Sequence, residues 1–149
     1  MSEAPSLYCF DHVRLPEQRA RMAALEEAGT CLMCPDGIAG HGFEIVLTTP
    51  HWTVTPNEYP YPGARLHLMV IPREHVSDLV DLSPAAQADF FAVLGQVRDR
   101  FGLTYYGLGV RCGDCRYTGA TIRHLHAHIL VGDPETGPEV RMRLSSRPH

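Results

Sequence analysis

The chain has 149 residues with 13 arginines, no lysine and 17 acidic residues, for a formal net charge of −4. Without lysine there is no lysine Schiff base and no P-loop, so a phosphate clamp must use arginine, histidine, hydroxyls or backbone N–H groups. The acidic balance argues against a broad basic footprint for nucleic acid. A length of 149 residues at 44% hydrophobic content suits one globular domain with its own core. No run approaches the roughly 18 apolar residues of a membrane span, and MSEAPSLYCFDH lacks the basic start and apolar run of a signal peptide. The expected setting is cytoplasmic, with the five cysteines serving as thiols or metal ligands and not as a disulfide framework.

In chain order, residues 1–15 read as irregular. Pro16–Ala28 reads as a helix, with proline in the first turn and Gly29 just past the end. Cys31-Leu-Met-Cys34-Pro35 reads as a tight turn. Phe43–Thr48 alternates like a strand, Thr49-Pro50 turns the chain, and His51–Thr55 returns. The prolines of 56–63 make a loop, since each removes a ladder donor. Leu66–Ile71 is a buried strand ended by Pro72.

Ser83 and Pro84 open a second helix with Phe90, Leu94, Val97 and Phe101 as its apolar stripe, stopped by Gly102. Thr104–Arg111 and Ile122–Val131 read as two more strands, and Val140–Leu144 as an exposed edge strand. The sum is an α+β domain with a mainly antiparallel five- to six-stranded sheet and two helices. Residues 1–30 form an N-terminal extension, 31–132 the main domain, and 133–149 a tail or edge strand.

The segment Thr118-Gly-Ala-Thr-Ile-Arg-His124-Leu-His126-Ala-His128-Ile-Leu carries most information. On a strand the three histidines share one face at a spacing of about 6.6–6.8 Å, while Leu125, Ala127 and Ile129 take the packed face. One buried histidine is commonly a satisfied core residue, but three in register need partners or a purpose. Two chemistries fit: imidazole ligands on a metal, and a central imidazole attacking phosphorus between oxygen-binding neighbours.

His124-Leu-His126-Ala-His128-Ile-Leu resembles the signature of the histidine triad (HIT) superfamily. Asn57-Glu-Tyr-Pro-Tyr with His67-Leu-Met-Val-Ile-Pro-Arg-Glu-His75 resembles its upstream block, and Cys31-x-x-Cys34 its start. The resemblance spans residues 31–132. It implies a nucleotide phosphohydrolase or nucleotidyltransferase that cleaves at an α-phosphate of a dinucleoside polyphosphate or adenylylated substrate. His126 would be the nucleophile. His128 would bind phosphoryl oxygens or the leaving group, with Thr121, Asn57 and His67 around the nucleotide. His67 also reads as an ordinary core histidine, and Asn57 as an ordinary turn residue.

The resemblance further implies a structural zinc on Cys31, Cys34, His75 and His124, no organic cofactor, and a homodimer with sheets joined edge to edge. No nucleic acid or membrane is expected as a partner. Cys112-Gly-Asp-Cys115, paired with Cys31 and Cys34, forms a rival four-cysteine set; otherwise Cys112, Cys115 and Cys9 are spare thiols. A metal-dependent hydrolase using the histidine row as ligands, and a nucleotide-binding module with little activity, are the alternative readings. The chain departs from many triad hydrolases in reading Thr118-Gly119-Ala120-Thr121 where they carry a glutamine, and it places Arg65 in a proline-rich loop.

Overall fold

The computed structural model describes residues 6–145. Helix α1 (Pro16–Ala28) begins on proline and ends where Gly29 turns left-handed at φ +68°, the two boundaries its sequence predicts. A second helix, α2 (Pro35–His41), follows the cysteine turn and closes on Gly42. The sequence hides it: two of its seven residues are glycine, and only Gly37 and Ile38 are buried. The strands are β1 (Leu47–Thr48), β2 (Trp52–Pro56) and β3 (Ala64–Pro72). Helix α3 (Pro84–Phe101) leads to β4 (Gly107–Val110), the short α4 (Cys115–Thr118) and β5 (Ala127–Gly132).

The sheet is antiparallel in the order β1-β2-β3-β5-β4. Alternation along β3 and β5 divides two cores. Leu68, Val70, Leu125, Ala127, Ile129 and Val131 pack with Trp52, Val54 and the α3 residues Ala86, Val93, Leu94 and Val97. Met69 and Ile71 turn to the opposite face and meet Tyr8, Met22, Leu32, Met33, Ile38 and Ile122. Helix α3 is fixed at its start by Ser83, whose Oγ accepts from Ala86 N–H at 3.2 Å and donates to Glu74 at 2.6 Å. Its buried stripe runs through Val93, while Phe101, expected inside, is 37% exposed at the helix end.

Four expectations need correction. The strand drawn over Phe43–Thr48 pairs only at Leu47 and Thr48, because Phe43 packs against the second core. The Thr104–Arg111 strand is limited to Gly107–Val110. Val140–Leu144 joins no ladder, although Met142 of that tail packs over Gly109 of β4.

The strand through all three histidines starts only at Ala127. Both ladders end there: Ala127 is opposite Val70 on β3 and Val110 on β4, and the last residues of β3 pair only with β2. The lead-in 121–125 bonds elsewhere. Cys9 N–H donates to Thr121 O, Arg123 N–H to Leu7 O, and Leu125 N–H to Val76 O, and Tyr8 bridges Ile122. The N-terminal segment thus acts as the missing partner of this stretch. Among the described residues no helix is long and apolar enough to cross a membrane.

Candidate functional site

Around the lead-in to β5 the histidines divide between two places. His124 turns to the cysteine turn, and its Nδ1 lies 3.5 Å from Cys31 Sγ, 3.6 Å from Cys34 Sγ and 3.2 Å from His75 Nδ1. His75 Nδ1 is 3.3 Å from Cys34 Sγ, and the four ligand atoms lie within 4.8 Å of one another. A tetrahedral zinc with ordinary bond lengths sets ligand atoms apart by about 3.4 Å for two nitrogens and about 3.6 Å for nitrogen and sulfur. Four of the six ligand–ligand distances are thus close to those of a tetrahedral zinc, and the residues present fit such an ion.

The hydrogen bond behind His124 also suits a ligand role. His124 Nε2–H donates to Pro72 O at 2.8 Å, which leaves Nδ1 unprotonated toward the cluster. Burial, and then the adjacent Cys31, push the Cys34 thiol up to about 12. A thiol held so high becomes a thiolate most readily on a cation.

The rival cysteine set does not assemble. Cys115 is joined to Cys9 as a disulfide across 106 residues, and Cys112 packs against the α3 side of the sheet. Cys9 and Cys115 are therefore not spare thiols, and the expectation that cysteines form no disulfide is corrected. The reason was invisible locally: residues 7–9 run beside 121–123, which brings Cys9 to the start of α4.

His126 and His128 face a cleft of about 400 Å³ together with Asn57 and Thr121. Their ring centroids are 5.0 Å apart. His126 Nδ1–H donates to the carbonyl of His124 at 2.8 Å, so the lone pair sits on Nε2. His67 stands behind His128 and does not line the cleft. Tyr61 N–H donates to His67 Nδ1 at 3.1 Å, so the neutral ring of His67 carries its proton on Nε2. That proton points to His128 Nδ1 at 2.8 Å. His128 must then hold its own proton on Nε2, which is buried and has no hydrogen-bond partner among the described residues. A buried donor left unpaired costs about 1–3 kcal/mol, a cost that a ligand oxygen would remove.

Asn57 is oriented by Tyr59 N–H, which donates to Oδ1 at 2.8 Å, and its amide nitrogen lies 3.2 Å from His67 Nε2. Burial is the main cause that lowers all three ring basicities. His67 is pushed down to about 4, with Arg14, His126 and Arg111 adding to the effect. His128 is held well below its ordinary value and His126 below it, both with help from Arg111. At neutral pH these rings are uncharged, one presenting a lone pair and its neighbour a proton.

Sequence reasoning missed the arginines of this cleft. Arg14, Arg21, Arg111, Arg141 and Arg143 all line it, as do Tyr59, Tyr61 and Met142. The available signal was the absence of lysine combined with arginines in the flanks, which nothing local assigned to the site. Arg65 lies elsewhere, its Nη2 3.1 Å from Tyr105 OH.

The HIT domain family model matches residues 44–135, more than half of the chain. An uncharacterized HIT-like protein of Helicobacter pylori (strain ATCC 700392 / 26695) is 29% identical over 72 residues, covering 48% of this chain and 69% of that protein. A HIT family hydrolase from Clostridium thermocellum superposes with a TM-score of 0.53 at 24% identity, covering 68% of this chain and 90% of its own. A histidine triad nucleotide-binding protein from Candida albicans gives a TM-score of 0.57 at 18% identity, covering 74% and 82%. At these identities the two solved structures speak for the fold.

Proposed function

Because the chain belongs to the HIT family, we propose that it is a nucleotide phosphohydrolase or nucleotidyltransferase acting through a covalent nucleotidyl–His126 intermediate. One observation carries the reading: His126, with its lone pair on Nε2, and His128, with an unpaired proton on Nε2, line the same cleft. The names of the Clostridium hydrolase and the Candida nucleotide-binding protein agree with it.

In the first step the His126 lone pair forms an N–P bond at the α-phosphorus, and the bridging P–O bond breaks with its electron pair leaving on oxygen. His128 Nε2–H hydrogen-bonds a phosphoryl or leaving-group oxygen as charge builds there, with the Thr121 hydroxyl alongside. In the second step water adds to phosphorus and gives a proton to solvent, and the N–P electron pair returns to His126. A phosphate or hydroxyl acceptor in place of water makes the same protein a transferase. The His126 Nδ1–H bond to the His124 carbonyl keeps the lone pair on the attacking nitrogen throughout.

Cys31, Cys34, His75 and His124 would hold a structural zinc. Bound there, the ion supplies a cross-link with all four positions filled by protein, and so no activated water. The exposed edge strand β4, with Leu108 46% exposed, offers the position for a homodimer pairing.

The test is turnover of diadenosine tetraphosphate and adenosine 5′-phosphoramidate by His126→Ala and His126→Gly. His126→Ala should abolish turnover, and added imidazole should restore part of it to His126→Gly. Full activity in His126→Ala contradicts the proposal.

A further inference from the structure

We propose that Arg14, Arg111 and Arg143 form a polyanion subsite beside the histidines, which selects substrates whose leaving group is a chain of phosphates. The inference rests on the reading of this cleft as a nucleotidyl-transfer site, and it names the substrate class of that site.

The five arginines of the cleft are not equivalent. Arg21 is spent internally: its Nη1 lies 3.2 Å from Glu58 Oε2 and 3.2 Å from His41 Nε2. Arg141 faces Glu139 at 3.7 Å on the exposed rim. The other three have no carboxylate partner among the described residues, and Glu58 is the one acidic residue lining the cleft.

Their placement is built by the fold. Tyr61 stacks on His128 with centroids 5.7 Å apart, and it separates two guanidinium groups. Arg14 lies 5.1 Å from the Tyr61 ring centroid, held by a bond from Nη2 to Tyr59 O at 2.8 Å. Arg111 Nη2 donates to the Tyr61 hydroxyl at 3.1 Å, and its Nε donates to the Arg143 carbonyl at 2.7 Å. That bond ties the C-terminal tail across the cleft mouth. The stem of Arg143 lies over Gly119, where a Cβ would stand 3.4 Å from its Cγ.

Three cations without a carboxylate partner thus line the same cleft as His128, whose buried Nε2–H is unpaired, in a chain of net charge −4. A local positive field of this kind in an acidic protein concentrates anions at the cleft. Arg14 and Arg143 also lie outside residues 44–135, the span shared with the family. Two of the three cations of the subsite therefore come from this chain's flanks, and Arg111 from within the shared span. A single transferred phosphate is already served by His128 and Thr121. Three further cations at the cleft suit two or more additional phosphates, recognised by planar, bidentate guanidinium contacts.

The experiment has two arms on the full chain. In calorimetry, inorganic tripolyphosphate should bind at least about tenfold tighter than orthophosphate, and the Arg14→Gln/Arg143→Gln double variant should lose that preference. In steady-state kinetics, the ratio of kcat/KM for diadenosine tetraphosphate over adenosine 5′-phosphoramidate should fall about a hundredfold in the double variant. Both side chains are exposed, so the core is untouched, and the Arg14→Lys/Arg143→Lys variant should recover part of the ratio. Equal binding of the two anions by the wild type, or an unchanged ratio in the double variant, overturns the subsite. Absence of turnover with either substrate in the wild type instead contradicts the nucleotidyl-transfer reading, and the calorimetric arm still decides the subsite.

Discussion

Replacing Cys34 with serine removes one of four converging ligands and probes the metal centre directly. The cluster ties together positions far apart in sequence: 93 residues separate Cys31 from His124, and 41 separate Cys34 from His75. Treated as a cross-link, a closed loop of this length is worth about 4–5 kcal/mol through the entropy of the unfolded chain. For a chain of this size each kcal/mol moves the midpoint by about 2–4 °C, so chelation should lower Tm by about 8–20 °C. The assay pairs thermal unfolding, with and without a chelator, with metal content by mass spectrometry. Wild-type protein and Cys112→Ser should carry about one zinc per chain, and Cys34→Ser should carry little and melt like chelated wild type. A Tm that ignores the chelator, or stoichiometric zinc in Cys34→Ser, refutes the reasoning. Chelated protein should still turn over substrate below its lowered midpoint; loss of turnover in a folded chain would favour a catalytic metal instead.

Three other outcomes follow from the same geometry. His67→Phe removes the donor that fixes the proton of His128 on Nε2, so kcat should fall by about tenfold to a hundredfold with a smaller change in KM, read by steady-state kinetics. Buried His67, His126 and His128 have folded values below the ordinary 6.5, so their contribution to stability is full above pH 6.5. It should be lost as the pH falls toward 4, seen as a falling urea midpoint between pH 7 and pH 4.5 in chelated as well as metal-loaded protein. Gly37→Ala should shed zinc and lower Tm, because an added Cβ runs into the backbone carbonyl of Cys31 and displaces the cysteine turn.

Local chemistry made much of this molecule readable. Proline at position 16, serine at 83 and glycines at 29 and 102 marked both long helices, since capping depends on neighbours in the chain. Period-two alternation placed Leu125, Ala127 and Ile129 in the core, and the family resemblance singled out the four residues that converge as a cluster. The limits were set by tertiary contacts. The start of β5 depends on where its pairing with β3 and β4 stops, and His124 turns from the row to bond the Pro72 carbonyl. The Cys9–Cys115 pairing and the arginine wall both arise from the termini folding over the sheet, which no window of sequence reports.

The proposed chemistry stands or falls on whether His126 Nε2 carries the nucleotidyl group. Rapid acid-free quenching of the protein during turnover of diadenosine tetraphosphate, followed by peptide mass spectrometry, tests it most directly. An adenylyl adduct on the peptide containing His126, absent from His126→Ala, is the predicted result. Turnover at full rate with no adduct on that peptide, or an adduct on His128 in its place, would contradict it.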